Sequence, residues 1–379
     1  MASGKAIHHL RDASRLRRNH CMPDTQVTSA PKTSTAKNLL LAGFSLGLGL
    51  LAGEAGARWF LPHLYRLPDV LRSKPDFQKM SAPIVARDSE IGWVLSSTPV
   101  ESRHRLVGKD GVVHFDVVYS ISDGRRKTSA VPQTGPVVVA TGCSFTFGHG
   151  VKDQDSWPWL LQERLQGSQV VNVASMAYGT DQALLAAERQ VARLDGQVRT
   201  VVLGFLGAQI ERNRGAQSWL WTIYPFSKPL FAVNGDHVRN RGLVHFWTLG
   251  STLDRSAFLA HGLRTLADRV VYQVEPHDGA RRLTTALIRE FAGRFRARGV
   301  ELVVVVLPYM EDQGAEQKED QRFVVEQLRS AGLTTLAPQF PRQTDGTLDA
   351  RRFMASTWDT HPGREYNVLV ADQLAQILK

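Results

Sequence analysis

The sequence predicts an α/β fold in which a parallel sheet is covered by helices on both faces. From Pro136 onwards, short apolar runs alternate with amphipathic segments, which is the pattern of repeated βα units. The first run, residues 137–141, is β-branched and uncharged, as a strand buried on both faces requires. The chain has 379 residues, of which 43% are hydrophobic, and this allows one large domain or two modest ones.

The predicted strands and helices alternate along this part of the chain. Strands are predicted at residues 137–141, 169–173, 199–205, 300–307 and 333–336. Helices are predicted at residues 155–165, 181–194, 284–298, 321–331 and 362–378. Residues 214–280 interrupt the alternation with a tryptophan-containing stretch of mixed polarity, which we interpret as an insertion. The main domain is therefore predicted to cover residues 131–379.

Residues 1–37 form a polar, basic tail for which we expect disorder. Seven Lys and Arg residues against two Asp residues give this tail +5 of the formal net charge of +10. A basic tail can bind nucleic acid, but in front of an apolar segment it more often sets membrane orientation. We therefore expect no nucleic-acid partner. The sequence also has no zinc-ligand spacing and no P-loop, so we predict neither a metal nor a cofactor.

The next segment, residues 38–61, is predicted to be a transmembrane helix or signal anchor. Its uncharged part, residues 39–53, would be about 22 Å long as a helix, shorter than a hydrocarbon core of about 30 Å. Extending it to Leu61 takes in Glu54 and Arg58, which can pair at i,i+4 spacing. By the positive-inside rule the N-terminus is cytoplasmic and the rest of the chain periplasmic or extracellular. A cleaved signal peptide and a buried core helix are the competing interpretations.

Residues 62–130 are predicted to form a small β-hairpin appendage or linker. Short alternating runs around residues 114–121 are flanked by turn sequences at residues 109–111 and 122–124. The two cysteines, Cys21 and Cys143, fall on opposite sides of the predicted membrane segment. We therefore expect no disulfide between them.

Two motifs at opposite ends of the main domain carry the candidate chemistry. Ser144 follows the first predicted strand, and open α/β sheets bind ligands at the carboxyl ends of their strands. Asp359 and His361 precede the last predicted helix, so both motifs should reach one sheet edge. A serine nucleophile needs a base, and the base needs a group that orients it. An ordinary turn at Ser144 and a helix cap at Asp359 are the alternatives.

These motifs resemble a known family. Gly142-Cys143-Ser144-Phe145-Thr146-Phe147-Gly148 resembles the first block of the SGNH (GDSL-type) hydrolases, and Asp359-Thr360-His361-Pro362 resembles their last block. The resemblance implies a flavodoxin-like three-layer sandwich and a catalytic triad of Ser144, His361 and Asp359. Cys143 stands where the family usually has Asp. It is an alternative nucleophile, although burial as a small apolar group is the default for a lone cysteine.

The resemblance also implies an oxyanion hole with donors from three blocks. The first is the backbone N–H of Ser144. The second is Gly179, at the end of the Asn172–Gly179 block, although a glycine there also suits a plain turn. The third is usually an asparagine, but Ala208 stands at that position, so Gln209 is the tentative substitute and Asn213 a further one. Loss of one such donor typically lowers kcat by about 10²–10³-fold.

Together with the predicted membrane segment, the resemblance implies a membrane-anchored serine esterase that acts outside the cytoplasm on an acylated glycan or a lipid ester. An O-acyltransferase in exported polysaccharide modification is the alternative within the same chemistry. A catalytically impaired carbohydrate-binding or scaffold protein is the alternative from another class, suggested by Ala208. In that case Trp219, Trp221 and Trp247 of the insertion would stack on sugars, although buried core aromatics are an equal interpretation.

Overall fold

The computed structural model describes residues 35–60, 80–108, 111–131, 133–235, 237–249, 256–310, 315–346, 348–356 and 359–378. The chain divides into two compact units, Met1–Ala52 and Gly53–Lys379. Nearly all of the predicted basic tail, together with Cys21, lies outside the described residues. The same holds for residues 109 and 110 of one predicted turn.

The helices and strands are as follows. The helices are α1 Thr35–Phe60, α2 Ser144–Phe147, α3 Trp157–Arg164, α4 Thr180–Arg193, α5 Ala208–Arg214, α6 Gln217–Leu220, α7 Ala257–Leu266, α8 Ala280–Arg296, α9 Ala315–Ser330, α10 Ala350–Phe353 and α11 Arg364–Ile377. The strands are β1 Val85–Asp88, β2 Gly92–Leu95, β3 Val100–Val107, β4 Val113–Ser122, β5 Arg125–Arg126, β6 Val137–Gly142, β7 Gln169–Asn172, β8 Val198–Phe205, β9 Ser227–Asn234, β10 His237–His245, β11 Glu301–Val306 and β12 Thr334–Leu336.

Helix α1 contains an apolar stretch, Lys37–Ala57, of 21 residues, in which an 18-residue window has a mean hydropathy of 1.6 and no buried residue. At 1.5 Å per residue this stretch is about 32 Å long, enough for a hydrocarbon core of about 30 Å. Its length and composition suit a membrane span or a signal segment, and its exposed leucines disfavour the core-helix alternative. The Arg58 side chain lies outside the described residues. Glu54 instead accepts hydrogen bonds from the Ser256 hydroxyl and the Phe258 N–H.

The predicted three-layer α/β sandwich around a parallel sheet is confirmed. Within the described residues, the central sheet has eight strands in the order β12-β11-β8-β6-β7-β5-β4-β3. Its five parallel strands, β6, β7, β8, β11 and β12, form a doubly wound sheet in which β6 lies between β7 and β8. Strand β6 is buried at all of its positions because both faces of the sheet are covered. The strand order reverses at β6, and ligands bind at such a switch point in open α/β sheets.

Helices cover the two faces of this sheet as right-handed crossovers require. The connection from β6 to β7 runs in one direction across the sheet, and the later connections run in the other, so α3 lies on the opposite face from α4, α8 and α9. Helix α4 packs against α8 and α8 against α9, while α11 returns to pack against α3. The closing helix begins at Arg364, two residues later than predicted, because Pro362 forms an antiparallel bridge with Met354.

Strands β3 to β5 differ from the predicted appendage because they continue the central sheet. The two-residue strand β5 pairs with β7 through Arg126 and Asn172, and β4 and β3 follow in antiparallel order. They cover an edge of β7 that would otherwise expose unpaired backbone groups. Strands β1 and β2 form a separate hairpin. This hairpin reaches the loop after β7, where the Trp93 indole donates to Ser175 Oγ and the Tyr178 hydroxyl donates to Trp93 O.

The insertion is built around the β9–β10 hairpin and helices α6 and α7. A fully buried ion pair between Lys228 of β9 and Asp181 of α4 joins it to the main domain. Trp219 and Trp221 are half-buried and pack against the main core, and the Trp247 indole donates to the Tyr272 hydroxyl at 2.7 Å. These tryptophans therefore have structural contacts of their own.

Candidate active site

Ser144 is positioned by an abrupt exit from strand β6. The strand ends at Gly142, which has a φ of 150°, and a Cβ there would lie 2.4 Å from Thr146 Oγ1. Only glycine therefore lets the chain turn directly into the short helix α2, whose first residue is Ser144. The first N–H groups of a helix have no partner within the helix. Among the described residues, none accepts a hydrogen bond from the Ser144 N–H.

Asp359 and His361 lie on a loop pinned at both ends. The Met354–Pro362 bridge closes the loop, and the Ala355 N–H donates to His361 O at 2.7 Å. Within the loop, the His361 N–H donates to Asp359 Oδ1 at 3.0 Å. Two hydrogen bonds thus hold the backbone of His361, in addition to the contacts of its side chain.

The structure brings the three predicted triad residues together. Nε2 of His361 lies 2.8 Å from Ser144 Oγ, and Nδ1 of His361 is hydrogen-bonded to Asp359 Oδ1. An ionised carboxylate only accepts, so Nδ1 carries the proton and the lone pair of Nε2 faces the serine hydroxyl. This is the geometry in which an imidazole can take a proton from a serine.

The electrostatics of the loop suit a neutral base and an ionised acid. Burial opposes ionisation of Asp359, but hydrogen bonds from His149 and His361 outweigh it and hold the pKa of that carboxyl well below its usual range. Burial lowers the pKa of His361, and the neighbouring His149 lowers it further, against the raising effect of Asp359. The His361 side chain keeps 26% of its surface exposed, so it remains open to a substrate on one side.

A second histidine, His149, contacts the same carboxylate. Its Nε2 lies 3.3 Å from Asp359 Oδ2, and its ring centroid lies 4.5 Å from that of His361. The sequence reasoning missed this residue. Its one signal was an imidazole between two glycines, Gly148 and Gly150, five positions after the candidate nucleophile.

The turn that carries His149 is held by Arg126 of β5. The buried guanidinium donates to the carbonyl oxygens of Phe147, Gly148 and Val151 and forms an ion pair with Asp153 at 2.8 Å. It also lies over the Phe147 ring, 4.7 Å from the centroid. Strand β5 therefore connects the added antiparallel strands to the segment that follows Ser144.

Two of the predicted oxyanion residues are engaged elsewhere. The Gly179 N–H donates to Gln182 Oε1 at 3.2 Å, because Gly179 is the residue that caps helix α4. Asn213 accepts from the Thr180 N–H at 2.7 Å and donates to Thr284 Oγ1 at 2.8 Å. Their predicted donor roles are therefore not seen in this structure.

Gln209 and Arg212 lie on helix α5, which begins at Ala208, the position where the resemblance places an asparagine. Gln209 is fully buried; its Oε1 accepts from the Leu206 N–H, and its Nε2 has no partner among the described residues. Arg212 donates to Tyr178 O at 3.2 Å, and its charge contributes to the lowered pKa of His361. The sequence reasoning did not single out Arg212, which lies one helical turn after Ala208.

His149, Asp359 and His361 are also close enough for a metal, with one ligand atom from each within 4.8 Å of the others. Both nitrogens of His361 are already used, however, one by Asp359 and the other by Ser144. We therefore assign the cluster as a hydrogen-bonded network and not as metal ligands.

Cys143, the alternative nucleophile, is buried and forms no disulfide. The candidate base, His361, contacts the neighbouring Ser144.

Comparison with known proteins gives solved structures only, since no protein-family model and no curated protein matches the sequence. One similar structure is a member of the lipolytic protein G-D-S-L family from Veillonella parvula, at 10% identity and TM-score 0.39, over 64% of this chain and 98% of that one. Another is the acetylxylan esterase Axe2 from Geobacillus stearothermophilus, at 13% identity and TM-score 0.37, over 65% of this chain and 94% of that one.

A third similar structure is the psychrotrophic esterase EstA from Pseudoalteromonas sp., at 9% identity and TM-score 0.35, over 64% of this chain and 96% of that one. All three TM-scores lie below 0.5, so these similarities assign neither an activity nor a residue role to this chain.

Proposed function

We propose that the chain is a serine esterase of the SGNH type that hydrolyses carboxylic ester bonds. The observation that carries this proposal is the unbroken hydrogen-bonded chain from Ser144 Oγ through both nitrogens of His361 to Asp359. It lies at the carboxyl end of β6, where the strand order of the doubly wound sheet reverses. The three side chains therefore lie at the edge of the sheet where doubly wound sheets bind ligands.

The proposed reaction has two steps. Ser144 Oγ attacks the acyl carbonyl while its proton passes to Nε2 of His361, and Asp359 stabilises the imidazolium that forms. The tetrahedral intermediate then expels the alcohol, which takes the proton from His361, and the acyl group remains on Ser144. Water, deprotonated by His361, attacks this acyl-enzyme. The second tetrahedral intermediate then collapses, which releases the carboxylic acid, and His361 returns its proton to Ser144 Oγ.

The negative oxygen of the tetrahedral intermediate requires donors. The Ser144 N–H is one candidate, because it lies at the start of α2 without a described partner. Gln209 Nε2 is the proposed second donor. A buried donor without a partner costs about 1–3 kcal/mol, and a bound oxyanion would remove that cost.

We further propose a membrane-anchored protein whose main domain lies outside the cytoplasm. The apolar stretch Lys37–Ala57 and the basic residues that precede it support this topology. The proposed substrate is an ester of a glycan or of a lipid. An O-acyltransferase would use the same acyl-enzyme and differ only in the acceptor, a sugar hydroxyl in place of water.

A catalytically impaired binding protein is the second candidate. Two observations favour it: Ala208 supplies no side-chain donor, and the Gly179 N–H is already engaged. Under this alternative the site would bind an ester without turning it over.

Turnover of a matched series of nitrophenyl esters tests the proposal. Wild-type protein should release nitrophenol from acetyl or longer acyl esters, and Ser144→Ala should not. Adding a soluble oligosaccharide as acceptor separates the two enzyme activities, because a transferase forms acylated sugar and a hydrolase forms free acid. Absence of turnover with every ester would favour the binding protein.

A further inference from the structure

Helix α7 of the insertion turns its larger apolar side chains outward. These side chains, together with those of the turn that follows the helix, are between 38% and 63% exposed: Phe258, Leu263, Leu266, Val270 and Val271. Leu263, Leu266 and Val270 follow one another at i, i+3 and i+7, so they share one side of the helix. We call the five side chains the α7 face. A surface helix of a globular domain normally turns such a stripe toward the core.

The opposite side of α7 holds the helix in this orientation through polar contacts. Ala267 is buried there, beside two charged residues. Arg264 donates from Nε and Nη2 to Trp247 O, each at 3.1 Å. Both carboxylate oxygens of Asp268 accept from the Gln217 N–H, each at 3.1 Å. A rotation of α7 that buried its leucines would break these hydrogen bonds, so the α7 face stays outward.

The N-terminus of α7 lies against residues that end the apolar stretch Lys37–Ala57. The Glu54 carboxylate accepts from the Ser256 hydroxyl at 2.8 Å and from the Phe258 N–H at 3.1 Å. A Cβ on Gly53 would lie 3.0 Å from two carbons of the Phe258 ring, so a glycine permits this close contact. Gly53 and Glu54 belong to the same compact unit as α7. Glu54 is three residues before the end of the stretch, about 4.5 Å along a helix, and therefore close to the surface of a bilayer that the stretch would span.

We propose that the α7 face inserts into the interface of a phospholipid bilayer, beside the point where α1 leaves the membrane. This inference rests on the proposed membrane anchor and goes beyond the proposed esterase activity. Interfacial helices bind membranes by placing an apolar stripe about 5–10 Å into the boundary between headgroups and acyl chains. Arg269 is exposed on the same helical segment and can pair with lipid phosphates. Trp59, exposed near the end of α1, is of the residue type enriched at membrane interfaces.

Two other occupants could cover an apolar face of this kind. One is a second copy of the chain, and the other is residues 61–79, which lie outside the described residues. The contacts of Glu54 and Gly53 favour the bilayer, because they place the first turn of α7 beside a segment whose own composition suits lipid.

Spin-label accessibility in the full chain tests the inference. In protein that carries Cys21→Ser and Cys143→Ala, a nitroxide is attached at Leu266→Cys or at Val270→Cys, and the protein is reconstituted in nanodiscs of phosphatidylcholine and phosphatidylglycerol. Oxygen concentrates in the bilayer, whereas a nickel chelate stays in water. The ratio of oxygen accessibility to nickel accessibility should be several-fold higher at both sites than at Val118→Cys, a matched exposed apolar position on β4.

A label at Leu51→Cys reports on the anchor separately, since Leu51 lies on α1. Nickel access at Leu266 and Val270, with a high ratio at Leu51, would overturn the inference and leave the anchor intact. Nickel access at all three sites would overturn both. Protection of Leu266 and Val270 from both reagents would show that protein covers the α7 face, and this result would also overturn the inference. None of these measurements requires ester hydrolysis.

Discussion

The Oγ atom of Ser144 lies 2.8 Å from Nε2 of His361, although 217 positions separate the two residues in the chain. Strand β6 delivers the serine to the edge of the sheet, and the loop closed by Met354 and Pro362 delivers the histidine to the same edge. The relationship depends on Asp359, which holds the imidazole in the tautomer that can accept the hydroxyl proton.

Asp359→Asn should lower kcat by about 10³–10⁴-fold, because an amide can donate to Nδ1 and favour the wrong tautomer of His361. KM should change little, since Asp359 does not touch the substrate in the proposed reaction. Steady-state kinetics on a nitrophenyl ester measure both. Asp155→Asn is the control, because Asp155 pairs with Arg364 outside the triad. Equal loss in the two variants would contradict the role of Asp359.

The acidic limb of the kcat/KM profile should lie below pH 6.5. A base with a lowered pKa stays unprotonated at lower pH, so activity is present above the pKa of His361 and is lost as the pH falls through it. A profile of kcat/KM from pH 4 to pH 9 measures this limb. A limb above pH 6.5 would mean that the raising effect of Asp359 on the pKa of His361 outweighs the lowering effects of burial and of the neighbouring His149.

Gln209→Ala should lower kcat by about 10²-fold with little change in KM, if Gln209 donates to the oxyanion only in the transition state. Ala208→Asn should leave activity similar or raise it, because it supplies the amide that the resemblance places there. Kinetics of the two single variants decide between the sites. A strong gain in Ala208→Asn together with no effect in Gln209→Ala would exclude Gln209 as the donor.

Arg212→Gln tests whether Arg212, and not Gln209, supplies the second oxyanion donor. The Arg212 guanidinium is a cation on the same helix as Gln209, with a hydrogen bond to Tyr178 O and, unlike Arg214, no carboxylate partner among the described residues. If Arg212→Gln lowers kcat while Gln209→Ala does not, the second donor is the guanidinium and the assignment of Gln209 is wrong.

Arg126→Met should destabilise the protein by about 3–5 kcal/mol, because it removes the ion-pair partner of Asp153, whose side chain is only 10% exposed. It also removes three hydrogen bonds to the turn that carries His149. Chemical denaturation measures the loss. Arg103→Met is the control, because that arginine is an exposed residue of β3, and it should lose far less stability. The double variant Arg126→Met with Asp153→Asn should recover part of the loss, and no recovery would show that the ion pair is not the cause.

The parallel half of the fold was readable from the sequence because each of its strands is a short β-branched run between helical segments. Ser144, Asp359 and His361 were readable because each motif is local. Strand β5 was not, since two residues carry no periodicity and its pairing with β7 depends on contacts distant in the chain. The start of the last helix was misplaced by two residues because the bridge at Pro362 is likewise a non-local contact.

The rest of the site depends on side chains that compete for partners. The sequence places Gly179 at the right turn, but it does not reveal that Gln182 takes the Gly179 N–H. The contact between His149 and Asp359 could not be predicted, because a sequence does not show that a second imidazole reaches the Oδ2 atom of Asp359. Such contacts appear only when β3, β4 and the loop before α11 are packed around one turn.

Labelling with a fluorophosphonate tests the central claim most directly, because this reagent reacts with an activated serine. We predict that wild-type protein is labelled on Ser144, as located by peptide mass spectrometry, and that Cys143→Ala is labelled equally. Ser144→Ala and His361→Ala should not be labelled. A wild-type protein that resists the reagent, or one that carries the label on Cys143, would contradict the assignment of Ser144 as the nucleophile.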